Sequence, residues 1–230
     1  GAKGCTFARY WLHNGMVNIG KEKMSKSLGN FLTVQEAVGH AGGEAVRMFV
    51  IGTHYRSPLE FSLERLDETA KALRRIYETL ARADEALAAA GIAAGNPDAG
   101  ALAAFTEAMD DDLNTSRALG IVFETVRAVN RLLDEGNVAA VAPLRRAIAT
   151  IGDVLGVGVT APALYLERSR DAHLADSDLD ATAIDRLIDE RNAARKARNF
   201  ARADEIRDDL AARGIILEDG PGGTTWKAQA

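Results

Sequence analysis

The stretch SLERLDETAKALRRIYETLARADEALAAAG, residues 62–91, decides the fold class. Its apolar side chains recur at three- and four-residue steps, which is the spacing of one face of an α-helix. Ser62 is a suitable N-cap residue, and Gly91 is a suitable stop. The periodic residues are Leu66, Ala70, Leu73, Tyr77, Leu80 and Leu87. The stretch therefore predicts one long amphipathic helix that has a single face to bury.

Two further stretches of the same kind follow. One begins near Asn114/Thr115 and ends before Gly136, and the other ends before Gly156. Their periodic apolar residues are Leu119, Val122, Phe123, Val126, Val129 and Leu133, then Val141, Leu144, Ile148, Ile151 and Leu155. Because each stripe must be buried against the others, residues 61–157 are predicted to form an antiparallel helical bundle. Residues 91–100 are predicted to be a turn.

The end of the chain, residues 180–230, has a different pattern. Apolar residues at helical spacing predict two helices, the second of which ends at Gly214. These residues are Ile184, Leu187, Ile188 and Ala194, then Ala203, Ile206 and Leu210. Ile215–Leu217 predicts a strand, residues 220–223 a turn, and Thr224–Trp226 the returning strand. We therefore predict a small α/β domain.

Two segments carry no clear period. In residues 1–60, short apolar stretches are broken by glycines, although Ala45–Ile51 predicts a short buried helix. We interpret this segment as the end of a larger domain because it lacks the residues to close one alone. Residues 158–179 contain Pro162 and several charges, and they are predicted to be a linker. The fold class is predicted to be mainly α.

Composition narrows the function classes. With 47% hydrophobic and 27% charged residues among 230, the chain is an ordinary globular sequence and is not disordered throughout. No run approaches the roughly 18 apolar residues of a membrane span. The single Cys5 excludes an internal disulfide and a cysteine zinc site, and it suits a reducing cytosol. A net charge of -5 argues against a protein that coats DNA, but RNA binding needs only a local basic surface.

The most specific feature of the sequence is Lys23-Met24-Ser25-Lys26-Ser27, followed by Leu28-Gly29-Asn30. Two ammonium groups among small hydroxyl residues and before a glycine predict a flexible cationic loop. Such a loop can place positive charge on the phosphates of a nucleotide as they rearrange. A solvated basic turn is the competing interpretation and would be favoured on charge alone. The five-residue string is too rare by chance for that interpretation to be preferred.

Two polar clusters have both structural and functional interpretations. His54-Tyr55-Arg56-Ser57-Pro58 predicts a turn in which Arg56 either binds a phosphate or serves a packed junction. Asp110–Asp112 either bind a cation or complement the dipole of the helix that starts at Asn114/Thr115. We favour the helix-dipole interpretation, because a cation needs several oxygen ligands and the sequence shows no second acidic cluster to supply them.

A basic stretch near the end of the chain predicts a nucleic-acid contact. Five cations occur in twelve residues without an acid, namely Arg191, Arg195, Lys196, Arg198 and Arg202. Arg191, Arg195 and Arg198 are spaced to share one helix face. Phe200 ends the stripe in a polar stretch where a base could stack. A solvated stripe is the alternative. Trp226 is a rival stacking residue, although its strand position suits the core at least as well.

Seven motifs together resemble one family, the cysteinyl-tRNA synthetases of class I. They are Tyr10–Gly15, Lys23–Ser27 as the KMSKS motif, His54–Leu59, Asp110–Thr115, Ala201–Asp208, Leu217–Pro221 and Gly223–Trp226. The resemblance covers nearly the whole chain in the family's order, and residues 83–105 and 157–179 are the least distinctive. It implies a stem-contact segment with the lysine loop at the end of the catalytic region in 1–60, a helical bundle in 61–157, a linker in 158–179 and an anticodon-binding domain in 180–230.

The resemblance also implies that this chain corresponds to the C-terminal half of the enzyme. The family's Rossmann domain, phosphate motif and zinc-bound cysteine pocket precede the lysine loop, and we find none of them in the sequence. Zinc is therefore expected only in the N-terminal half, with no metal site in this chain. We expect this chain to be inactive alone.

Residue roles carry over where the motifs match. Lys26, and with it Lys23, would contact the phosphates of ATP, which is used with Mg²⁺. The anticodon of tRNA(Cys) is GCA, and the donors on guanine's pairing edge suit the carboxylates of Asp204 or Asp219. Arg195 would donate to base or phosphate acceptors, and Phe200 would stack. Arg56 would contact the tRNA stem or loop.

The resemblance implies ATP-dependent attachment of cysteine to tRNA(Cys) by a cytoplasmic monomer with no membrane or DNA partner. Two alternatives stay open. One is a related cysteine ligase that acts on an amino-sugar acceptor, as in mycothiol synthesis, but it would not need the unit in residues 184–227. The other is a non-catalytic RNA-binding module, which would have no evident use for Lys23–Ser27.

Overall fold

The structure of the protein is a computed structural model that describes residues 4, 7–19, 22–23, 32–93, 95–175, 180–220 and 223–228. The chain divides into two compact units, Gly1–Val159 and Thr160–Ala230. Each unit is described by itself. Helices dominate both, so the mainly α prediction is confirmed.

The first unit opens with a small sheet and two short helices. Its elements are β1 (Val17–Ile19), β2 (Glu22–Lys23), α1 (Val34–Ala41), α2 (Gly43–Ile51) and β3 (Leu59–Phe61). The sheet order is β2-β1-β3, with β1 antiparallel to β2 and parallel to β3. Thr33 and Glu36 form a capping box at the start of α1. Helix α2 contains the predicted short helix, with Ala45 and Met48 buried.

The backbone just before β1 passes close to the backbone of the loop before β3. The amide of Gly15 donates to the carbonyl of Tyr55 at 2.7 Å, and the amide of Leu59 donates to Met16 at 2.8 Å. A Cβ on Gly15 would overlap the carbonyl of Ser57. Glycine is therefore required where the two backbone segments cross.

A helical bundle completes the first unit. It consists of α3 (Leu63–Ala89), α4 (Ala99–Asp110), α5 (Thr115–Asp134) and α6 (Val138–Leu155). Helices α3, α5 and α6 pack on one another, and α4 packs on α5 and α6. Ser62 caps α3 and Asn114 caps α5, as their residue types predict. The fully buried side chains of the bundle include Leu66, Leu73, Ile76, Tyr77, Leu80, Val129, Val141, Ile148 and Ile151.

Helix α4 is the helix of the bundle that the sequence did not predict. Its sequence is AGALAAFTEAMD, and only Ala108 is buried. Leu102, Phe105 and Met109 are spaced three and four residues apart, but alanines elsewhere on the helix leave little contrast between its sides, and that contrast is the signal that predicts the other helices. The side chain of Asp98 caps it by accepting from the amide of Ala101 at 2.8 Å.

The second unit consists of α7 (Pro162–Ala175), α8 (Ala181–Lys196), α9 (Phe200–Ala212) and the hairpin β4 (Ile215–Gly220) with β5 (Gly223–Ala228). The antiparallel register runs from Ile215 opposite Ala228 to Gly220 opposite Gly223. Its buried core is Ile184, Ile188, Ile206, Leu210 and Ile215. The structure contains the two helices and the hairpin that the sequence predicts here.

Helix α7 lies within residues 158–179, for which the sequence predicts a linker. The helix packs against β5. Its apolar residues do not collect on one side, which is why its sequence shows no helical period. The division of the chain into domains at the boundaries given above stays a prediction.

In the part of the chain that the structure describes, no helix combines the length and apolar character needed to cross a membrane.

Candidate nucleic-acid interface

The turn between α8 and α9 sets the geometry of the basic stretch. Helix α8 ends at Lys196, and Arg198 adopts a left-handed backbone with φ of 59°. The amides of Arg198 and Asn199 donate to the carbonyls of Arg195 and Ala194, at 3.0 and 2.9 Å. This is the hydrogen-bond pattern of a Schellman C-cap, with arginine in the position where glycine is usual.

This turn corrects the prediction that Arg191, Arg195 and Arg198 share one helix face. Arg198 lies beyond the end of α8, because the left-handed residue stops the helix and Asn199 caps α9 by accepting from the amide of Arg202. The face that remains on α8 carries Arg191 and Arg195.

Both arginines on that face bind one carboxylate, that of Asp219 at the end of β4. Arg191 donates from Nη1 to Oδ1 and from Nη2 to Oδ2, each at 2.9 Å. Arg195 Nη1 donates to Oδ2 at 2.8 Å, and the Thr224 hydroxyl donates to Oδ1 at 2.7 Å. The interpretation of a solvated stripe therefore fails for Arg191, whose side chain is only 8% exposed.

The electrostatics of this cluster favour the charged carboxylate. Hydrogen bonds from Arg191, and then from Thr224, hold the pKa of Asp219 well below its usual value. The same contact raises the pKa of the Arg191 guanidinium. Asp219 is consequently a fixed anion and Arg191 a fixed cation throughout the neutral range.

The other cations of the stretch differ in their availability. Arg202 is held by Glu190 at 2.8 Å and by Glu205 at 2.7 Å. Lys196 and Arg198 are exposed, and among the described residues neither side chain has an ion-pair partner. Positive charge for a phosphate is therefore concentrated at the turn that precedes α9.

Phe200 is the first residue of α9 and is 61% exposed. An aromatic side chain that is this exposed and follows a cationic turn has the surroundings that base stacking needs. Asp204 lies one turn further along α9, where its carboxylate pairs with Arg207 at 3.1 Å. The anticodon roles of Arg195, Phe200, Asp204 and Asp219 stay predictions.

Trp226 occupies a core position instead. It packs against the buried cluster of the second unit, and its Nε1 donates to Asp185 at 3.3 Å. The guanidinium of Arg170 lies 5.2 Å from the centre of its ring. With its ring packed on this cluster and its donor engaged, Trp226 is a packing residue, in line with the core interpretation.

In the first unit, Arg56 binds Asp112. Its Nε and Nη2 donate to the two carboxylate oxygens at 2.5 and 3.0 Å, and the Tyr55 hydroxyl adds a third hydrogen bond at 2.7 Å. These contacts lower the pKa of Asp112 to about 2. The side chain of Arg56 is nevertheless 63% exposed, so its role as a tRNA contact stays a prediction.

This contact revises the interpretation of Asp110–Asp112. The amide of Arg117 is capped by the side chain of Asn114, while the carboxylate of Asp112 points to Arg56 and Tyr55. A cation at Asp112 would have to displace an arginine that already neutralises it. Asp112 of this cluster thus connects the turn between α4 and α5 to the loop before β3.

The lysine motif falls almost wholly outside the described residues. Met24, Ser25, Lys26 and Ser27 are not among them, and Lys23 is described only as a backbone position paired with Asn18. The assignment of Lys23 and Lys26 to the ATP phosphates therefore stays a prediction.

None of the three side chains that bind Asp219 was predicted to do so from the sequence. Thr224 could have been found, because a hairpin with its turn at 220–223 places Thr224 directly opposite Asp219. Arg191 could not, since its contact joins residues 28 positions apart in different elements and no local pattern signals it.

Comparisons with known protein families match three segments of the chain. Residues 1–71 match the class I (C) tRNA synthetase catalytic domain, residues 104–160 match the DALR domain, and residues 169–226 match the cysteinyl-tRNA ligase anticodon binding domain. The chain is thus built from domains of a class I tRNA synthetase.

Curated relatives narrow the family. The cysteine–tRNA ligase of Geobacter sulfurreducens is 53% identical over 99% of this chain and 49% of its own length. Those of Geobacter metallireducens and Syntrophotalea carbinolica are 47% and 46% identical over 50% of their lengths. The chain is thus similar to cysteine–tRNA ligases over nearly all of its own length, and it spans about half the length of the curated relatives it matches.

Proposed function

We propose that this chain supplies the tRNA-reading part and the ATP-phosphate loop of a cysteine–tRNA ligase, which attaches cysteine to tRNA(Cys). One observation carries the proposal. Phe200 is exposed and directly follows a cationic turn, and the same domain holds the Arg195–Asp219 pair. All three residues lie in the segment that matches an anticodon-binding domain.

Anticodon recognition would combine stacking with hydrogen bonds to a base edge. An unstacked anticodon base lies on the ring of Phe200, while Lys196 and Arg198 attract the phosphates beside it. The first base of the GCA anticodon carries N–H donors on its pairing edge, and Asp219 or Asp204 accepts them. Arg195 donates to the acceptor atoms of base or phosphate. Arg56 in the first unit is assigned to the tRNA stem or loop.

The chemical steps would use ATP with Mg²⁺, and Lys26 together with Lys23 would stabilise the charge that develops on the phosphates as pyrophosphate leaves. We assign the whole enzyme to the cytoplasm as a monomer. The chain itself spans about half of its relatives. We therefore expect no cysteine-dependent ATP–pyrophosphate exchange from the 230 residues alone, and detectable exchange would contradict this.

The stacking step is tested by Phe200→Ala. Affinity for a GCA anticodon stem-loop is measured by fluorescence anisotropy, and we expect it to fall by about tenfold, as loss of one stacked base predicts. Phe7→Ala is the matched control, because Phe7 is also exposed, at 83%, but lies in the first unit. Unchanged affinity in a folded Phe200→Ala protein would overturn the stacking assignment.

A further inference from the structure

The acceptor capacity of the Asp219 carboxylate is already filled. A carboxylate offers about four lone-pair positions, two on each oxygen. Oδ1 accepts from Arg191 and Thr224, and Oδ2 accepts from Arg191 and Arg195. A base that donates to Asp219 must therefore replace one of these three partners.

The three partners differ in how firmly they are held. The side chain of Arg191 is 8% exposed and grips both oxygens in a planar bidentate contact. Thr224 lies opposite Asp219 in the hairpin register, which keeps its hydroxyl 2.7 Å from Oδ1, nearer than its other acceptor, the side-chain oxygen of Asn192 at 3.2 Å. Arg195 is 49% exposed and contributes a single hydrogen bond. Arg195 is consequently the partner that can leave at the lowest cost.

We infer that Arg191 and Thr224 are positioning residues that hold the Asp219 carboxylate in place for base recognition, and that Arg195 is exchanged for the N–H donors of the base. This inference rests on the proposed function. Arg195 is released by the exchange and becomes free to donate to an acceptor on the same nucleotide.

The geometry explains why an arginine is needed at position 191. A lysine would keep the positive charge but could not donate to both oxygens in the carboxylate plane. The Asp219 carboxylate would then be held in one orientation less firmly, by Thr224 and Arg195 alone. Specificity for guanine depends on the direction of the acceptor lone pairs, so it should suffer more than overall affinity.

The experiment compares the affinity of the chain for two stem-loops, one with a GCA anticodon and one with ACA, in which adenine lacks guanine's N1–H and N2 donors. The variants are Arg191→Lys and Thr224→Val. We expect each variant to lower the ratio of the GCA affinity to the ACA affinity by about tenfold, which is within the discrimination that one well-aligned base contact provides. The change should come from weaker binding of the GCA stem-loop alone. Because Thr224→Val keeps the shape of the side chain, it provides the test if Arg191→Lys fails to fold.

Two conservative variants serve as controls. Thr224→Ser retains the hydroxyl and should keep the ratio of the wild-type chain. Arg213→Lys makes the same chemical change at an exposed ion pair, the one between Arg213 and Asp209 at the end of α9. It should also leave the ratio unchanged. Urea unfolding monitors the stability of every variant.

The outcomes separate the two proposals. Suppose that the wild-type chain prefers GCA and that both variants keep this preference, or that they lower the affinities for the two stem-loops equally. Arg191 and Thr224 then only stabilise the fold, and the inference is overturned. If the wild-type chain does not distinguish the stem-loops, the proposed function fails, and the inference fails with it.

Discussion

Arg56 and Asp112 join two distant parts of the first unit through paired hydrogen bonds, Nε to Oδ2 at 2.5 Å and Nη2 to Oδ1 at 3.0 Å. Asp112 and the next residue, Leu113, both have left-handed backbones, with φ of 55° and 54°. The contact therefore attaches the loop before β3 to a tight turn between α4 and α5. It connects the segment that matches a catalytic domain to the helical bundle.

The pH dependence of stability should report this contact. The pKa of Asp112 is about 2 in the folded chain against an ordinary 3.8, so the folded state binds the proton less readily than the unfolded state. The stabilisation is complete above about pH 5, and it is lost as the pH falls through 3.8 towards 2. We expect the urea midpoint of the wild-type chain to exceed that of Asp112→Asn at pH 6 and to converge with it near pH 2.

Asparagine is a suitable replacement in that comparison because it tolerates the left-handed backbone that position 112 requires. A difference between the two proteins that stays constant from pH 6 to pH 2 would show that the charge of Asp112 does not stabilise the fold.

A buried hydroxyl joins α3 to α2. Tyr77 is fully buried, and its hydroxyl lies 2.7 and 2.8 Å from the carboxylate oxygens of Glu44, which also accept the amide of Gly158. Tyr77→Phe leaves Glu44 without this donor and should lower the free energy of unfolding by about 1–3 kcal/mol. Chemical denaturation measures the change. Tyr10→Phe is the control, since Tyr10 is 77% exposed, and equal losses in the two variants would contradict the assignment.

Two helix glycines should respond in opposite ways to alanine. A Cβ on Gly152 in α6 would overlap the carbonyl of Val157, whereas a Cβ on Gly120 in α5 meets no atom of the described residues within 4 Å. Gly152→Ala should destabilise the chain by about 1–3 kcal/mol through overpacking. Gly120→Ala should stabilise it by up to about 1 kcal/mol through helix propensity. Thermal unfolding compares them, and a stable Gly152→Ala protein would refute the close contact.

Arg198 should show a conflict between stability and binding. Its left-handed backbone is unfavourable for a residue with a Cβ, so Arg198→Gly should raise the free energy of unfolding by up to about 1 kcal/mol. The same change removes an exposed cation beside Phe200 and should weaken RNA binding while lowering its salt dependence. If Arg198→Gly gains stability and binds RNA as tightly as the wild-type chain, Arg198 has no part in the interface.

The sequence predicted those elements whose signal is local. The caps at Ser62 and Asn114 and the hairpin after Gly214 follow from residue types and spacing over a few positions. Helix α4 was missed because its many alanines leave little contrast between an apolar side and a polar side. The exposure of Phe200 was foreseen from its polar neighbours.

The electrostatic partners could not be predicted in the same way. Arg191 and Asp219 are 28 positions apart, and Arg56 and Asp112 are 56 apart. Which acid meets which base depends on how helices and loops pack, and no periodicity encodes that. A run of cations in a sequence therefore overstates the free positive charge of the folded surface, as Arg191 and Arg202 illustrate.

We propose above all that the second unit reads the GCA anticodon. The most direct measurement is the affinity of the wild-type chain for a GCA stem-loop and for the ACA stem-loop over a salt series from about 50 to 300 mM. We predict tighter binding to GCA by about tenfold or more, with a ratio that persists as salt weakens both complexes. Equal, weak binding that vanishes with salt for both stem-loops would mean that only phosphate attraction is present, and it would contradict anticodon recognition by this chain.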